Sequence, residues 1–120
     1  MIIDRVVVTG IGIVSPIGHN QRAILRNLQN QQHNFKHLAE FSDFKRSKVH
    51  IGTTIPDFIT DSNQPEDWSC PYSTPLCKEA IRGFNPHTYY AYHATTQALS
   101  EAGLTEKPLD EETGLFTASP

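Results

Sequence analysis

The feature that most constrains the fold is the stretch from Arg5 to Gly18, which reads RVVVTGIGIVSPIG. Its three consecutive valines and a threonine form an unbroken β-branched run, typical of a strand buried on both faces in the middle of a parallel sheet. Gly10 and Gly12 follow, and glycine marks places where a chain turns sharply or another backbone approaches closely. Ser15-Pro16 cannot continue into a helix, so the chain is predicted to stay irregular until about His19. The stretch therefore predicts a central strand that leads into a tight, packed loop.

A strand followed by G-x-G also opens the dinucleotide-binding fingerprint G-x-G-x-x-G. Here Ser15 replaces the third glycine, and Pro16 blocks the immediate helix whose N-terminus would hold a pyrophosphate. About 20 residues further on, where an acidic residue would bind the ribose, the chain has the polar residues 29–32 instead. A nucleotide-binding α/β module remains an alternative, beside a plain buried strand with a glycine turn.

Two amphipathic or small-residue helices are predicted. Asn20 is a suitable N-cap for a helix over about residues 21–30, with Ile24, Leu25 and Leu28 as one buried stripe. Strand, loop and helix together read as the first half of a right-handed βαβ unit.

The second helix starts at Asn85-Pro86 and ends at Gly103, where Leu104 is expected to contact Leu99 in a Schellman closure. A stripe of small residues along this helix predicts close approach of a neighbouring element. The stripe comprises Ala91, Ala94, Thr95, Ala98 and Ala102. Tyr89, Tyr90 and Tyr92 in its first turns are predicted to be packing residues rather than a base-stacking platform.

The region between the helices is harder to assign. Phe35, Leu38, Phe41 and Phe44 recur every three residues, which a broken helix or a series of turns would both give. Residues 49–55 alternate well enough for a short strand with Val49, Ile51 and Ile55 inward. Residues 57–75 are rich in turn formers and predict an irregular surface excursion, a candidate for disorder or a partner-dependent conformation. Residues 114–118 predict another strand.

Candidate chemistry in this sequence is sparse. His33 and His37 would form half a metal site if they lay on a helix, but packed or solvated histidines are the simpler interpretation. Cys70 and Cys77 could form a disulfide, and neither follows a strand into a helix N-terminus that would activate a thiol. His93 is interpreted as a packed or surface residue rather than a base. Lys45, Arg46 and Lys48 form a basic cluster, read as a solvated face.

Composition sets outer limits. The chain has 120 residues, enough for one domain that buries roughly two-thirds of its surface on folding. A net charge of −3 gives no field directed at nucleic acid or an anionic membrane. No signal peptide and no membrane-spanning run is evident, so a cytoplasmic location is expected.

The opening stretch resembles the N-terminal signature of the beta-ketoacyl-acyl carrier protein synthases. The likeness covers about fourteen positions, residues 5–18, and includes a T-G-(apolar)-G pattern at residues 9–12. A weaker likeness lies at residues 98–103 (ALSEAG) followed by Leu104, where that family closes a helix, and a third at residues 113–119 (TGLFTAS). Residues 31–84 diverge from the family and are partly irregular. The resemblance implies an α/β chain that forms the N-terminal portion, incomplete, of a thiolase-like αβαβα layered fold.

The same resemblance implies the chemistry of the family. Condensing enzymes take an acyl group onto a cysteine thiolate, and two histidines assist decarboxylation of malonyl-carrier protein and the attack that follows. None of these residues lies in the part of the family that the chain matches, so residues 1–120 are expected to hold no catalytic, cofactor-binding or metal-binding residue. Acyl carrier protein, acyl thioesters and a homo- or hetero-dimeric partner are the implied partners. A non-catalytic relative of the chain-length-factor type would show the same signature, and remains the main alternative.

Overall fold

The computed structural model describes residues 5–72, 76–106 and 109–118. Its helices are α1 (Gln21–Gln29), α2 (Lys78–Ile81) and α3 (Pro86–Glu101), with short 3-10 helices at Ala39–Asp43 and Pro65–Asp67. Its strands are β1 (Lys36–His37) and β2 (Ile51–Gly52), which pair antiparallel with Lys36 opposite Gly52 and His37 opposite Ile51. In the described ranges the structure is therefore dominated by helices and turns rather than by a parallel sheet.

Helix α3 is built as the sequence predicts. The Asn85 side chain accepts a hydrogen bond from the Thr88 N–H at 2.8 Å, and Pro86 occupies the first turn, where a missing N–H costs nothing. At the other end Gly103 adopts a left-handed φ of 70°. The N–H of Leu104 donates to the Leu99 carbonyl at 2.9 Å, and the N–H of Gly103 donates to that of Ser100 at 3.1 Å. This is the Schellman pattern, and the predicted helix end is confirmed.

The glycine loop packs directly against α3. A Cβ atom added to Gly12 would lie 1.6 Å from the Ala94 carbonyl oxygen, and one added to Gly10 would lie 2.1 Å from that of Ala98. Real Cβ atoms are never found at such distances from a backbone oxygen. The predicted packed corner is confirmed, and it approaches Ala94, Ala98 and Ala102 of the small-residue stripe, whereas Ala91 and Thr95 are exposed.

The opening valines do not form the predicted buried strand. Val6 is 99% exposed, and Val7 and Val8 are also mostly exposed. No residue of this segment belongs to a strand in the described ranges. A β-branched run becomes a strand only when neighbouring strands satisfy its backbone groups and cover its faces, and no described segment does so.

The predicted strand at residues 114–118 is wrong in the same way. The segment belongs to no strand, and Phe116 is 96% exposed. Ser119, the last residue of the TGLFTAS likeness, lies outside the described residues.

Helix α1 forms with the predicted cap but without the predicted burial. The Asn20 side chain accepts a hydrogen bond from the Ala23 N–H at 2.9 Å. Ile24 is half-buried, whereas Leu25 and Leu28 are both more than half exposed. The prediction of a buried stripe is therefore wrong, because no described element covers this face of the helix.

The middle of the chain folds into short pieces. Leu38 and Phe41 are half-buried beside Gly52, while Phe35 and Phe44 are exposed, so turns and a 3-10 helix replace a broken helix. Val49 and Ile51 are exposed and the prediction that they face inward is wrong; a two-residue strand covers too little surface to bury them. Ile55 is half-buried and packs on the core cluster.

The core lies where an irregular excursion was predicted. Phe58, Ile81 and Tyr89 are its buried members, and Trp68, Cys70 and Tyr72 pack around them. Residues 57–72 are irregular, as predicted, and about half of them are exposed. They are not only a surface excursion, because Phe58 is buried and Trp68 and Tyr72 pack on the core, where large aromatic side chains gain most by leaving water. Residues 73–75, the rest of that predicted excursion, lie outside the described residues.

The molecule is extended for its length. Its principal dimensions are 61 × 39 × 25 Å and its radius of gyration is 17.8 Å, against about 14 Å for a compact domain of 120 residues. The chain exposes 10136 Å² of surface, whereas a folded monomer of this size exposes about 6,500 Å². It therefore buries about half of the surface of its unfolded form, less than the predicted two-thirds.

Candidate functional site

A groove of about 1000 Å³ lies between the glycine loop, α1 and α3. Its apolar wall includes Ile11, Ile13, Leu25 and Leu28, and Tyr92 faces it from α3. The same residues of α1 that were predicted to be buried are thus the exposed wall of an open groove. Its composition suits an apolar occupant more than a phosphate-bearing one.

One corner of the groove is closed by a carboxylate. The Ile11 N–H donates to Glu101 Oε2 at 2.7 Å, and the Gln21 side-chain amide donates to the same oxygen at 3.3 Å. A nucleotide phosphate would need the Ile11 N–H as a donor and would be repelled by this carboxylate. The geometry therefore disfavours the dinucleotide alternative that the G-x-G pattern left open.

A thiol–imidazole pair lies beside the groove, under the segment that covers α3. Two hydrogen bonds join Ile59 and Ser69 as an antiparallel bridge, at 2.9 and 3.1 Å. The bridge sets Phe58 and Cys70, which flank it, over the face of α3 that carries Tyr89 and His93. Cys70 Sγ lies 3.3 Å from His93 Nε2 and 3.3 Å from the Tyr72 carbonyl oxygen.

His93 is held in an aromatic enclosure and is only 4% exposed. The centroid of its ring lies 4.7 Å from that of Tyr89, which it meets edge-on, and 5.9 Å from that of Tyr72, on which it stacks. The rings of Phe58 and Tyr92 also contact it. Burial lowers the pKa of His93 below its ordinary value, because the charged imidazolium loses its hydration. Burial likewise raises the pKa of Tyr72. Both groups therefore favour their neutral forms.

The sequence predicts no chemical role for Cys70 or for His93. The structure brings them together across 23 positions of the chain. No spacing signal in the sequence points to this pair, because the contact depends on how the irregular segment folds back onto α3. Tyr89 is buried, as predicted for a packing residue, and Tyr90 shares a hydrogen bond of 3.1 Å with Thr60.

The remaining candidate residues stay apart. His33 accepts a hydrogen bond from the Phe35 N–H at 3.2 Å, and His37 stacks with His50 at 5.8 Å, so the helical spacing needed for a two-histidine site is absent. Lys45, Arg46 and Lys48 are exposed, as predicted for a solvated face. Cys77 is exposed, and no disulfide joins it to Cys70. Among the described side chains, no group of three histidine, cysteine or acidic residues is arranged to hold a metal ion.

Comparison with known protein families places the chain. The profile described as beta-ketoacyl synthase, N-terminal domain, matches residues 3–120. The chain belongs to the beta-ketoacyl synthase family. The resemblance carried by the opening signature is thereby confirmed. Membership implies a thiolase-like fold, although the described segments do not display its layers.

A relative with a curated name supports the same family. The chain is 29% identical over 112 residues to 3-oxoacyl-[acyl-carrier-protein] synthase 1 of Haemophilus influenzae, an alignment that covers 92% of this chain and 24% of the relative. The beta-ketoacyl synthase chain thus spans about a quarter of the relative that it matches. No solved structure gives a significant match.

The helices also bear on the question of membranes. Of those in the described ranges, none combines the length and the hydropathy needed to cross a bilayer.

Proposed function

We propose that the chain forms the N-terminal segment of a beta-ketoacyl synthase that catalyses decarboxylative condensation of an acyl thioester with malonyl-acyl carrier protein. The observation that carries the proposal is the contact of Gly10 and Gly12 with the backbone of α3. The family signature supplies these glycines, and the geometry gives them a purpose: any side chain at either position would separate the loop from the helix.

In this proposal the segment contributes framework rather than chemistry. The glycine loop, α1 and α3 form a scaffold whose open groove and exposed apolar segments are suited to contact further parts of a layered enzyme. The nucleophilic cysteine and the two histidines of the family are expected outside residues 1–120. That expectation, the cytoplasmic location, the dimer and the acyl carrier protein partner stay predictions. So does the distinction between a catalytic synthase and a chain-length-factor-like partner.

A segment exchange tests the proposal. Residues 3–120 replace the aligned segment of the Haemophilus influenzae enzyme, and the chimera is purified and assayed with acyl- and malonyl-acyl carrier protein. We expect measurable 3-oxoacyl product, because the exchanged segment would rebuild the same corner against the same helix. A folded, dimeric chimera that forms no product would contradict the proposal.

The matched control carries Gly12→Val within the same chimera. A valine cannot occupy a site where even a Cβ atom would lie 1.6 Å from the Ala94 carbonyl oxygen. The control should therefore lose product formation together with thermal stability. If it stays as active as the unchanged chimera, the glycine contact is not what makes the segment work.

A further inference from the structure

The condensation chemistry proposed above makes no use of the Cys70–His93 pair, yet the pair has the geometry of a nucleophile beside a base. Cys70 Sγ lies 3.3 Å from His93 Nε2 and 4.0 Å from Nδ1. The imidazole nitrogen and the Tyr72 carbonyl oxygen lie at equal distances from the thiol sulfur. Cys70 is intermediate in exposure, so the residue is not fully removed from solvent.

The base is fixed in place by its neighbours. Tyr89 meets the His93 ring edge-on at an interplanar angle of 85°, and Tyr72 stacks on it at 30°. A base that a third group orients is the usual arrangement beside an activated nucleophile. Because burial lowers the pKa of His93, its imidazole is neutral near pH 7 and its Nε2 can accept the thiol proton in the tautomer that carries hydrogen on Nδ1.

We propose that Cys70 is a modification site for small, uncharged disulfides, with His93 as the base that assists the attack. The sulfur of Cys70 attacks one sulfur of the reagent, the bond between the two reagent sulfurs breaks, and a mixed disulfide forms on Cys70. The thiol proton passes to His93 Nε2 and then to the departing thiolate, which leaves as a thiol. One disulfide is exchanged for another, so no other oxidant is needed.

The surroundings decide the class of reagent. The side chains around the pair are aromatic, namely Phe58, Tyr72, Tyr89 and Tyr92. Such a lining accepts a flat, neutral molecule more readily than a charged one.

Among the described residues, the titratable neighbours of this cluster include its tyrosines and His19. Tyrosine phenols carry no charge between pH 6 and 8. His19 contacts the same Phe58 ring at 5.2 Å, and its Nε2 lies 3.7 Å from Asp57 Oδ2. His19 is therefore the histidine that a control must address.

The test uses 4,4′-dithiodipyridine, a small neutral disulfide that releases a coloured product, on two variants of the full chain. Cys77→Ser leaves only Cys70, and Cys70→Ser leaves only the exposed Cys77. Below the pKa of its thiol, a cysteine that reacts only through its thiolate should react about tenfold faster for each unit by which the pH rises. We expect Cys77 to follow this slope, and Cys70 to change less than about threefold between pH 6 and 8, because neutral imidazole removes the proton during attack. If Cys70 shows the tenfold slope, or does not react, the proposal is wrong.

Substitution of the base sharpens the result. In the Cys77→Ser background, His93→Gln should restore the tenfold slope, whereas His19→Gln should leave the shallow profile unchanged. A shallow profile that survives His93→Gln in a folded chain, as judged by circular dichroism, would overturn the role of His93. If His93→Gln does not fold, the profiles of the two single-cysteine variants decide the question. Condensation activity does not enter any of these measurements, so the outcome is independent of the proposed function.

Discussion

Two regions of the molecule carry apolar side chains of similar size but bury them to different extents. Around α3, Phe58 and Tyr89 are almost fully removed from water. At the opening valines and at residues 114–118, side chains of comparable hydrophobicity stay exposed. The difference lies in the geometry each needs for burial. An aromatic ring on a folded-back loop can be covered by one helix, whereas a β-branched run needs neighbouring strands on both sides.

The largest test of this contrast compares two phenylalanines. Phe58→Ala should lower the free energy of unfolding by about 3–5 kcal/mol, because it empties the centre of the aromatic cluster. Phe116→Ala removes a side chain that is 96% exposed and should change it by less than about 0.5 kcal/mol. Urea denaturation followed by circular dichroism measures both. Equal losses would mean that residues 114–118 are packed in solution.

The next largest change in the free energy of unfolding is expected at the glycine corner. Gly12→Ala should cost about 1–3 kcal/mol, since the added Cβ would collide with the backbone of α3 rather than with a movable side chain. At Gly83 an added Cβ meets nothing within 4 Å, so Gly83→Ala should be neutral or stabilise the chain by about 0.4–1 kcal/mol. Thermal denaturation of the two variants makes the comparison. A harmless Gly12→Ala would show that the loop and helix do not touch.

The buried histidine gives the aromatic region a pH dependence that the exposed region lacks. The pKa of His93 is lowered by burial, so its unfolded form takes up a proton first as the pH falls through about 6.5. Its contribution to stability is therefore complete above that pH and declines as the pH falls toward the lowered pKa of the folded state. Urea titrations at pH 8 and pH 5 should show the decline, and His93→Phe should reduce it. An identical decline in the variant would assign it to other groups.

The smallest effect on stability is expected on the open face of α1. The double variant Leu25→Ser, Leu28→Ser should change the free energy of unfolding by less than about 0.5 kcal/mol, because both side chains are more than half exposed. It should nevertheless bind less of the dye ANS, which reports exposed apolar surface. Val49→Ser, at an exposed valine away from the groove, is the control and should leave dye binding unchanged. An unmodified chain that binds no ANS would contradict the open groove itself.

Local signals in the sequence predicted the helices well. Asn20, Asn85 and Gly103 each mark a helix boundary through one or two hydrogen bonds to nearby backbone, so the information lies within a few residues. The small-residue stripe of α3 also predicted a close neighbour. The paired glycines separately predicted a packed loop, and only the structure shows that this loop is the neighbour.

Burial was predicted less well, because it depends on contacts between distant segments. The run of valines predicts a strand only if partner strands exist, and nothing within the run reveals whether they do. The segment 57–72 was predicted to be an excursion because it is rich in prolines and polar residues. That composition does not reveal that Phe58, Trp68 and Tyr72 pack in the core. Cys70 contacts His93 only because the segment 57–72 folds back onto α3, so no sequence motif predicts the pair.

The hydrogen bond from Ile11 to Glu101 joins residues 90 positions apart. A ribosome adds roughly 5–20 residues each second, so the amide of Ile11 waits roughly 5 to 20 seconds for its partner to be synthesised. Until α3 has been synthesised, the glycine corner has no helix to pack against. The glycine corner can take its final shape only after residue 101 has been made.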